Sequence, residues 1–330
     1  MEITTILSGL TGVYGPSGRE GKVAEAILRH IETMGRSASV DPAGNVVCKV
    51  GDQGKKIVFA AHMDSIGLML TRIDKDGYGY FTSVGWLDAG MIAHSMVEFE
   101  NGVKAALCIK EDKVGKEIKL TDLYLDFGTK TKGETEEKVS VGDTAVFCRQ
   151  YHELGDRICG TYLDNRAGCA VLLSTLETIK EPKNQVYFLF TTQEETGTGG
   201  AGPGCYGIDG AIGIAVDVTA VDDAPGSSHE GTAVLGKGAA IKILDKSALS
   251  SPEVVRKMTG VAEENRIPNQ KDILTGGATD AGAMAGVRSG MMVGGVSIPC
   301  RYTHSPTELM DKNDLKACAD LVTALAETEL

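Results

Sequence analysis

Several stretches of this chain are almost free of polar residues, and each is short. Lys56 to Ala61 is nearly all apolar, which predicts a central strand covered on both faces. Val46 to Val50, Val186 to Thr192, Ala211 to Val216 and Met291 to Ile298 read as further strands. Between them the period changes. Val23, Ile27, Ile31 and Met34 recur at helical spacing, and Gly35 is placed to end that helix. Ser17-Gly18-Arg19-Glu20 just before them has the form of a capping box. Ala170, Leu173, Leu176 and Ile179 mark one face of a helix over Asp164 to Ile179, and Asp314 to Ala326 is amphipathic. Strands alternating with helices predict an α/β sandwich on a mixed sheet.

The rhythm breaks between residues 68 and 153. Gly77 to Phe81, Met96 to Glu100, Lys104 to Lys110 and Asp143 to Phe147 are strand-like pieces separated by polar turns, with one helical stretch near Thr129 to Val139. This predicts a β-rich inserted domain at 68–153, serving oligomerisation or as a lid. Residues 1–67 and 154–330 would then form the catalytic domain.

With 330 residues, the chain is long enough to bury a substantial core. A net charge of −12 and no concentrated basic surface argue against nucleic acid. No apolar run reaches the roughly 18 residues of a membrane span. Met1-Glu2-Ile3 has an acid where a signal peptide carries basic residues, so a cytoplasmic protein is expected. Eight cysteines without a Cys-x-x-Cys pair predict reduced thiols and no structural zinc site.

The chemistry gathers where apolar runs end. Gln193-Glu194-Glu195 follows the run Tyr187 to Thr192, and two adjacent carboxylates there are costly unless something positive waits for them. His62 follows Ile57 to Ala61, Asp217 follows Ala211 to Val216, and Asp164 opens a helix. In an open α/β sheet such strand ends converge on one crevice. With His304 they offer imidazole and carboxylate ligands, a set that suits Zn, Co or Mn better than Mg. Two divalent metals about 3.5–4 Å apart could activate water and polarise a carbonyl. On an extended backbone Glu194 and Glu195 would point apart and could do different jobs.

Five segments in order, His62-Met63-Asp64-Ser65-Ile66-Gly67, Leu163 to Gly168, Gln193-Glu194-Glu195, Ala215 to Val218 and Arg301 to Pro306, strongly resemble the tetrahedral-aminopeptidase family of metallopeptidases. That family includes glutamyl and deblocking aminopeptidases. The resemblance implies a two-metal aminopeptidase acting on short peptides. His62 and Asp217 would hold one metal, Glu195 and His304 the second, and Asp164 would bridge both. Glu194 would be the general base, and Asp64 would orient His62. The resemblance also implies a cis Asp164–Asn165 peptide, two divalent ions (Zn or Co) per subunit, and self-association to a dimer and a dodecamer. Ser65 and Gly276-Gly277-Ala278-Thr279-Asp280 depart from the family pattern at positions that bear on substrate preference.

Two rival enzyme classes compete with this reading, and a non-enzymatic scaffold would require the loss of a ligand, whereas every expected ligand is present. Gly197 to Gly202 matches Gly-x-Gly-x-x-Gly, as in an NAD-binding oxidoreductase, but Glu194 and Glu195 would repel a pyrophosphate docked there. An endoglucanase-like glycoside hydrolase would use the same two carboxylates, yet adjacent residues on a strand rarely flank one glycosidic bond. His30, His94 and His152 read as structural, and His229 reads as a candidate substrate contact.

Overall fold

The computed structural model describes residues 1–227 and 231–329. His229 therefore lies outside the described residues. The strands in chain order are β1 Ser39–Val40, β2 Val46–Val50, β3 Lys56–His62, β4 Gly67–Ile73, β5 Gly79–Val84, β6 Met96–Phe99, β7 Lys104–Ile109, β8 Leu123–Asp126 and β9 Thr144–Phe147. They continue with β10 Tyr151–Leu154, β11 Arg157–Gly160, β12 Gln185–Thr191, β13 Ile212–Ala220, β14 Ala239–Leu244, β15 Asn269–Ile273, β16 Met292–Arg301 and β17 Glu308–Asp311. The helices are α1 Ile3–Thr11, α2 Gly21–Thr33, α3 Ala89–Ile92, α4 Lys132–Glu136, α5 Leu163–Thr178, α6 Ala201–Cys205, α7 Pro252–Glu264, α8 Asp280–Ala285 and α9 Lys312–Glu327.

The large sheet runs β1-β2-β12-β3-β13-β16-β17-β11-β10, with β14 and β15 attached beside β16. Its centre, β12-β3-β13-β16, is parallel, and the flanking strands are antiparallel. Alternate residues of β3 explain why both faces are apolar. Ile57, Phe59 and Ala61 join the core beneath α1, α2, α5 and α9, whereas Val58 and Ala60 pack with α6 and α8 on the other face. The result is a helix–sheet–helix sandwich. Gly168 of α5 permits a close helix–sheet approach, since a Cβ there would meet the Val216 carbonyl oxygen at 2.4 Å.

Strands β4, β5, β8, β7, β6 and β9 close into a small barrel with its own apolar interior, including Leu68, Leu70, Val97, Leu107, Leu125 and Phe147. Strand β10 overlaps the end of the sequence expected to be inserted, but it pairs with β11 in the large sheet. Among the described residues no helix is long and apolar enough to cross a membrane.

The expected capping box does not form. Helix α2 starts only at Gly21, and the Ser17 hydroxyl bonds the Thr196 hydroxyl at 2.9 Å. Glu20 Oε1 accepts the Gly18 N–H at 2.7 Å and the Gln193 N–H at 3.0 Å. Both side chains thus tie the N-terminal loop to the segment carrying Glu194 and Glu195. Gly35 does take the left-handed conformation after the helix, with φ of 68°.

Candidate metal centre

Parallel register brings the chemistry to one edge. His62 ends β3 and pairs with Thr191, the last residue of β12. Ala60 pairs with Ala215, so Asp217 on β13 lies level with His62. Strand β13 continues to Ala220, which places Asp217 within the strand and not after it. Strand β16 ends at Arg301, and the chain turns through Tyr302 and His304, both at positive φ (58° and 63°), before β17. Asp164 sits in the irregular first turn of α5, where its peptide bond to Asn165 is cis. The Asn165 amide anchors that turn by donating to Val216 O at 2.9 Å and accepting the Gly168 N–H at 2.9 Å.

The Asp164 carboxylate faces both imidazoles. Its Oδ1 lies 3.2 Å from His62 Nε2, and its Oδ2 lies 3.3 Å from His304 Nε2. Asp217 Oδ1 is 3.6 Å from His62 Nε2, and Glu195 Oε2 is 3.4 Å from His304 Nε2. Potential ligand atoms of His62, Asp164 and Glu195 all fall within 4.8 Å of one another.

Glu194 and Glu195 do not lie on a strand. Strand β12 ends at Thr191, Gln193 takes a φ of 54°, and the two acids occupy the following turn. Asp64 holds that turn: Oδ1 accepts the Glu194 N–H and Oδ2 the Glu195 N–H, each at 3.1 Å. The same carboxylate stands 3.4 Å from His62 Nδ1, which also contacts the Asp64 main-chain oxygen at 3.2 Å. Glu194 retains partial solvent exposure.

Sequence inspection gives three further neighbours no place at the centre. Buried Glu308, at the start of β17, accepts the main-chain N–H groups of Asp164 (3.0 Å) and His304 (2.9 Å). Asp280, at the start of α8, accepts the Thr191 hydroxyl at 2.6 Å. The Trp86 carbonyl accepts from His304 Nδ1 at 2.8 Å. The spacing of Glu308 four residues after His304 was the one available signal, and it does not distinguish a brace from a surface acid.

The electrostatics bear on what the site can hold. Burial pushes Glu195 up to about 8, with Asp164 and Asp64 adding to the rise. Burial likewise raises Glu194 well above the usual carboxyl range, raises Asp217, and takes Asp280 to about 7. Burial would lower His304, yet Asp164 and Glu195 bring it up to about 10. Asp164 and Asp64 are held low: two imidazoles outweigh the burial of the first, and His62 with the Glu194 and Glu195 N–H groups outweighs that of the second. Glu195 Oε1 is buried without a hydrogen-bond partner among the described residues. A crowd of buried carboxyl groups with an orphaned oxygen and two imidazoles fits a cation-binding centre. The donor set suits borderline divalent metals.

The Gly197 to Gly202 run opens only the five-residue α6, beside this carboxylate-lined centre, and so does not form the helix-capped phosphate cradle of a dinucleotide site.

The sequence profile of the family described as M42 glutamyl aminopeptidase matches residues 44–321. An Acetivibrio thermocellus protein named as an aminopeptidase is 37% identical over 318 residues, 96% of each chain. The aminopeptidase structure from Desulfurococcus kamchatkensis superposes with a TM-score of 0.93 at 34% identity, over 98% of this chain and 94% of that one. The Pyrococcus horikoshii TET1 peptidase, which can assemble into a tetrahedron or a large octahedral shell, superposes with a TM-score of 0.89 at 31% identity, over 98% and 99%.

Proposed function

The chain belongs to the M42 glutamyl aminopeptidase family and is a metal-dependent aminopeptidase, and we propose that it removes N-terminal residues from short peptides at the centre just described. Two divalent ions, Zn or Co, are assigned to it: His62 and Asp217 would hold one, Glu195 and His304 the other, and Asp164 would serve both. The observation that carries this reading is the Asp164 carboxylate, whose two oxygens each face a different imidazole.

When bound, the ions supply Lewis acidity, making the attacking water acidic and polarising the scissile carbonyl. The chain's own residues do the rest. Glu194, which is not among the ligand groups assigned to either ion, takes the proton from water, and its burial-raised proton affinity suits it to hold that proton until the amine leaves. Asp64 fixes the His62 ring and the turn bearing both glutamates through one carboxylate.

Residues 68–153 are read as a separate β-rich domain for oligomerisation or as a lid, set within a catalytic domain of 1–67 and 154–330. The closed barrel with its own core supports this, and β10 moves its C-terminal edge a few residues earlier. The likeness to the tetrahedral Pyrococcus peptidase supports assembly from dimers into a dodecamer, since a tetrahedral group has twelve rotations. Eight free thiols support a cytoplasmic location.

The test is a panel of aminoacyl-nitroanilides assayed with Zn, Co or Mn returned to chelator-stripped protein. Activity should vanish on stripping and return with metal. Asp164→Ala should lose more metal than any other single change, so full occupancy of both sites in that variant sinks the bridging assignment.

A further inference from the structure

The loop from β5 to α3 leaves the barrel and crosses the metal centre. Gly85, at φ of 81°, lets the backbone press so close that a Cβ there would sit 3.1 Å from Glu195 Oε2. The next residue, Trp86, gives its carbonyl to His304 Nδ1 at 2.8 Å, and its ring centroid lies 5.9 Å from that imidazole at a tilt of 46°. Leu87, one residue on, is buried, yet Trp86 remains 64% exposed. It is the only tryptophan of the chain.

The two halves of Trp86 therefore face different tasks. The backbone carbonyl fixes the His304 tautomer that leaves Nε2 toward Asp164 and Glu195, and any residue at this position supplies a carbonyl. The side chain contributes nothing to that bond. Folding gains little from an aromatic face left in water, so its place beside the centre calls for another partner. We propose that the Trp86 indole is a specificity-determining wall, packing against an apolar or aromatic side chain of the peptide held at the centre. The proposal rests on the reading that His304 holds a metal.

The experiment compares the wild type, Trp86→Ala and Trp86→Phe as holoenzymes on phenylalanyl-, leucyl-, alanyl- and lysyl-nitroanilides. Aromatic packing of this kind is worth roughly a 2- to 12-fold change in binding. Trp86→Ala should raise KM by that factor for the phenylalanyl and leucyl substrates and less for the alanyl one. Trp86→Phe should restore most of the loss. Because all indole emission comes from Trp86, free phenylalanine added to the wild-type holoenzyme should shift it, and Co added to stripped protein should quench it. An equal KM change on all four substrates, a preferential loss on the lysyl substrate, or a fall in kcat at fixed KM overturns the wall. So does emission that phenylalanine leaves unmoved. Absence of Co quenching with the KM pattern intact removes instead the metal assignment of His304, so the two failures are distinguishable.

Discussion

The Glu308 carboxylate accepts the main-chain N–H of Asp164 at 3.0 Å across 144 residues of sequence. Its other oxygen takes the N–H of His304, so one buried side chain sets the spacing between the start of α5 and the turn after β16. A glutamine offers one carbonyl oxygen and must turn its NH2 group toward the remaining donor. Leaving a buried N–H unsatisfied costs about 1–3 kcal/mol. Glu308→Gln should bind metal more weakly and regain part of its turnover in excess metal. Elemental analysis at limiting Zn checks this, and wild-type occupancy there would refute the brace.

Glu194 and Glu195 should separate cleanly. Glu194→Gln keeps size and hydrogen bonding but accepts no proton from water, and loss of a general base costs on the order of 10²–10⁴ in rate. Both metals should stay. Glu195→Gln replaces an anionic oxygen that has no other partner, so one metal should weaken and activity should partly return at saturating metal. Metal titration alongside single-turnover rates distinguishes the pair. Metal loss in Glu194→Gln, or near-normal turnover, makes it a ligand or a bystander.

Assembly should be visible by light scattering. In metal-replete buffer the mass expected is that of twelve subunits, with smaller species after chelation. A monomer at micromolar concentration would end that reading.

The Asp223–Arg301 pair supplies a pH prediction. Arg301, with help from the Leu235 N–H, holds the Asp223 carboxyl below its usual range. A carboxyl whose folded pKa is depressed adds stability that is present above its unfolded value, near 3.9, and is lost as pH falls through the lower folded value. Both side chains keep some solvent contact, so the contribution is on the order of 1 kcal/mol or less. Asp223→Asn should melt below the wild type at neutral pH, and the gap should close on acidification below about pH 4. A gap that persists at low pH would assign the loss to packing.

The parallel centre of the sheet was readable because β3, β12, β13 and β16 are apolar on both faces, and the acids or imidazoles at their ends then stand out. The barrel was legible only as a change of rhythm. Gly67–Ile73 and Leu123–Asp126 were missed because alternation in short strands is easily mistaken for loop. Ser17 and Glu20 misled for a physical reason: local geometry favours a cap, but Thr196 and the Gln193 N–H lie close enough to compete. Glu308 and Trp86 act through backbone groups or exposure and Asp280 through the hydroxyl of a residue on β12, and none of these is encoded in spacing.

The ligands assigned to the centre run from residue 62 to residue 304, and each imidazole meets Asp164 only after β3 and β16 have taken their places around β13. A chain still emerging from the ribosome has no such edge. Most of its length must be synthesised and threaded into register before the last imidazole arrives. The assigned centre is therefore a property of the finished topology, complete only when residue 304 joins residues 62, 164 and 217.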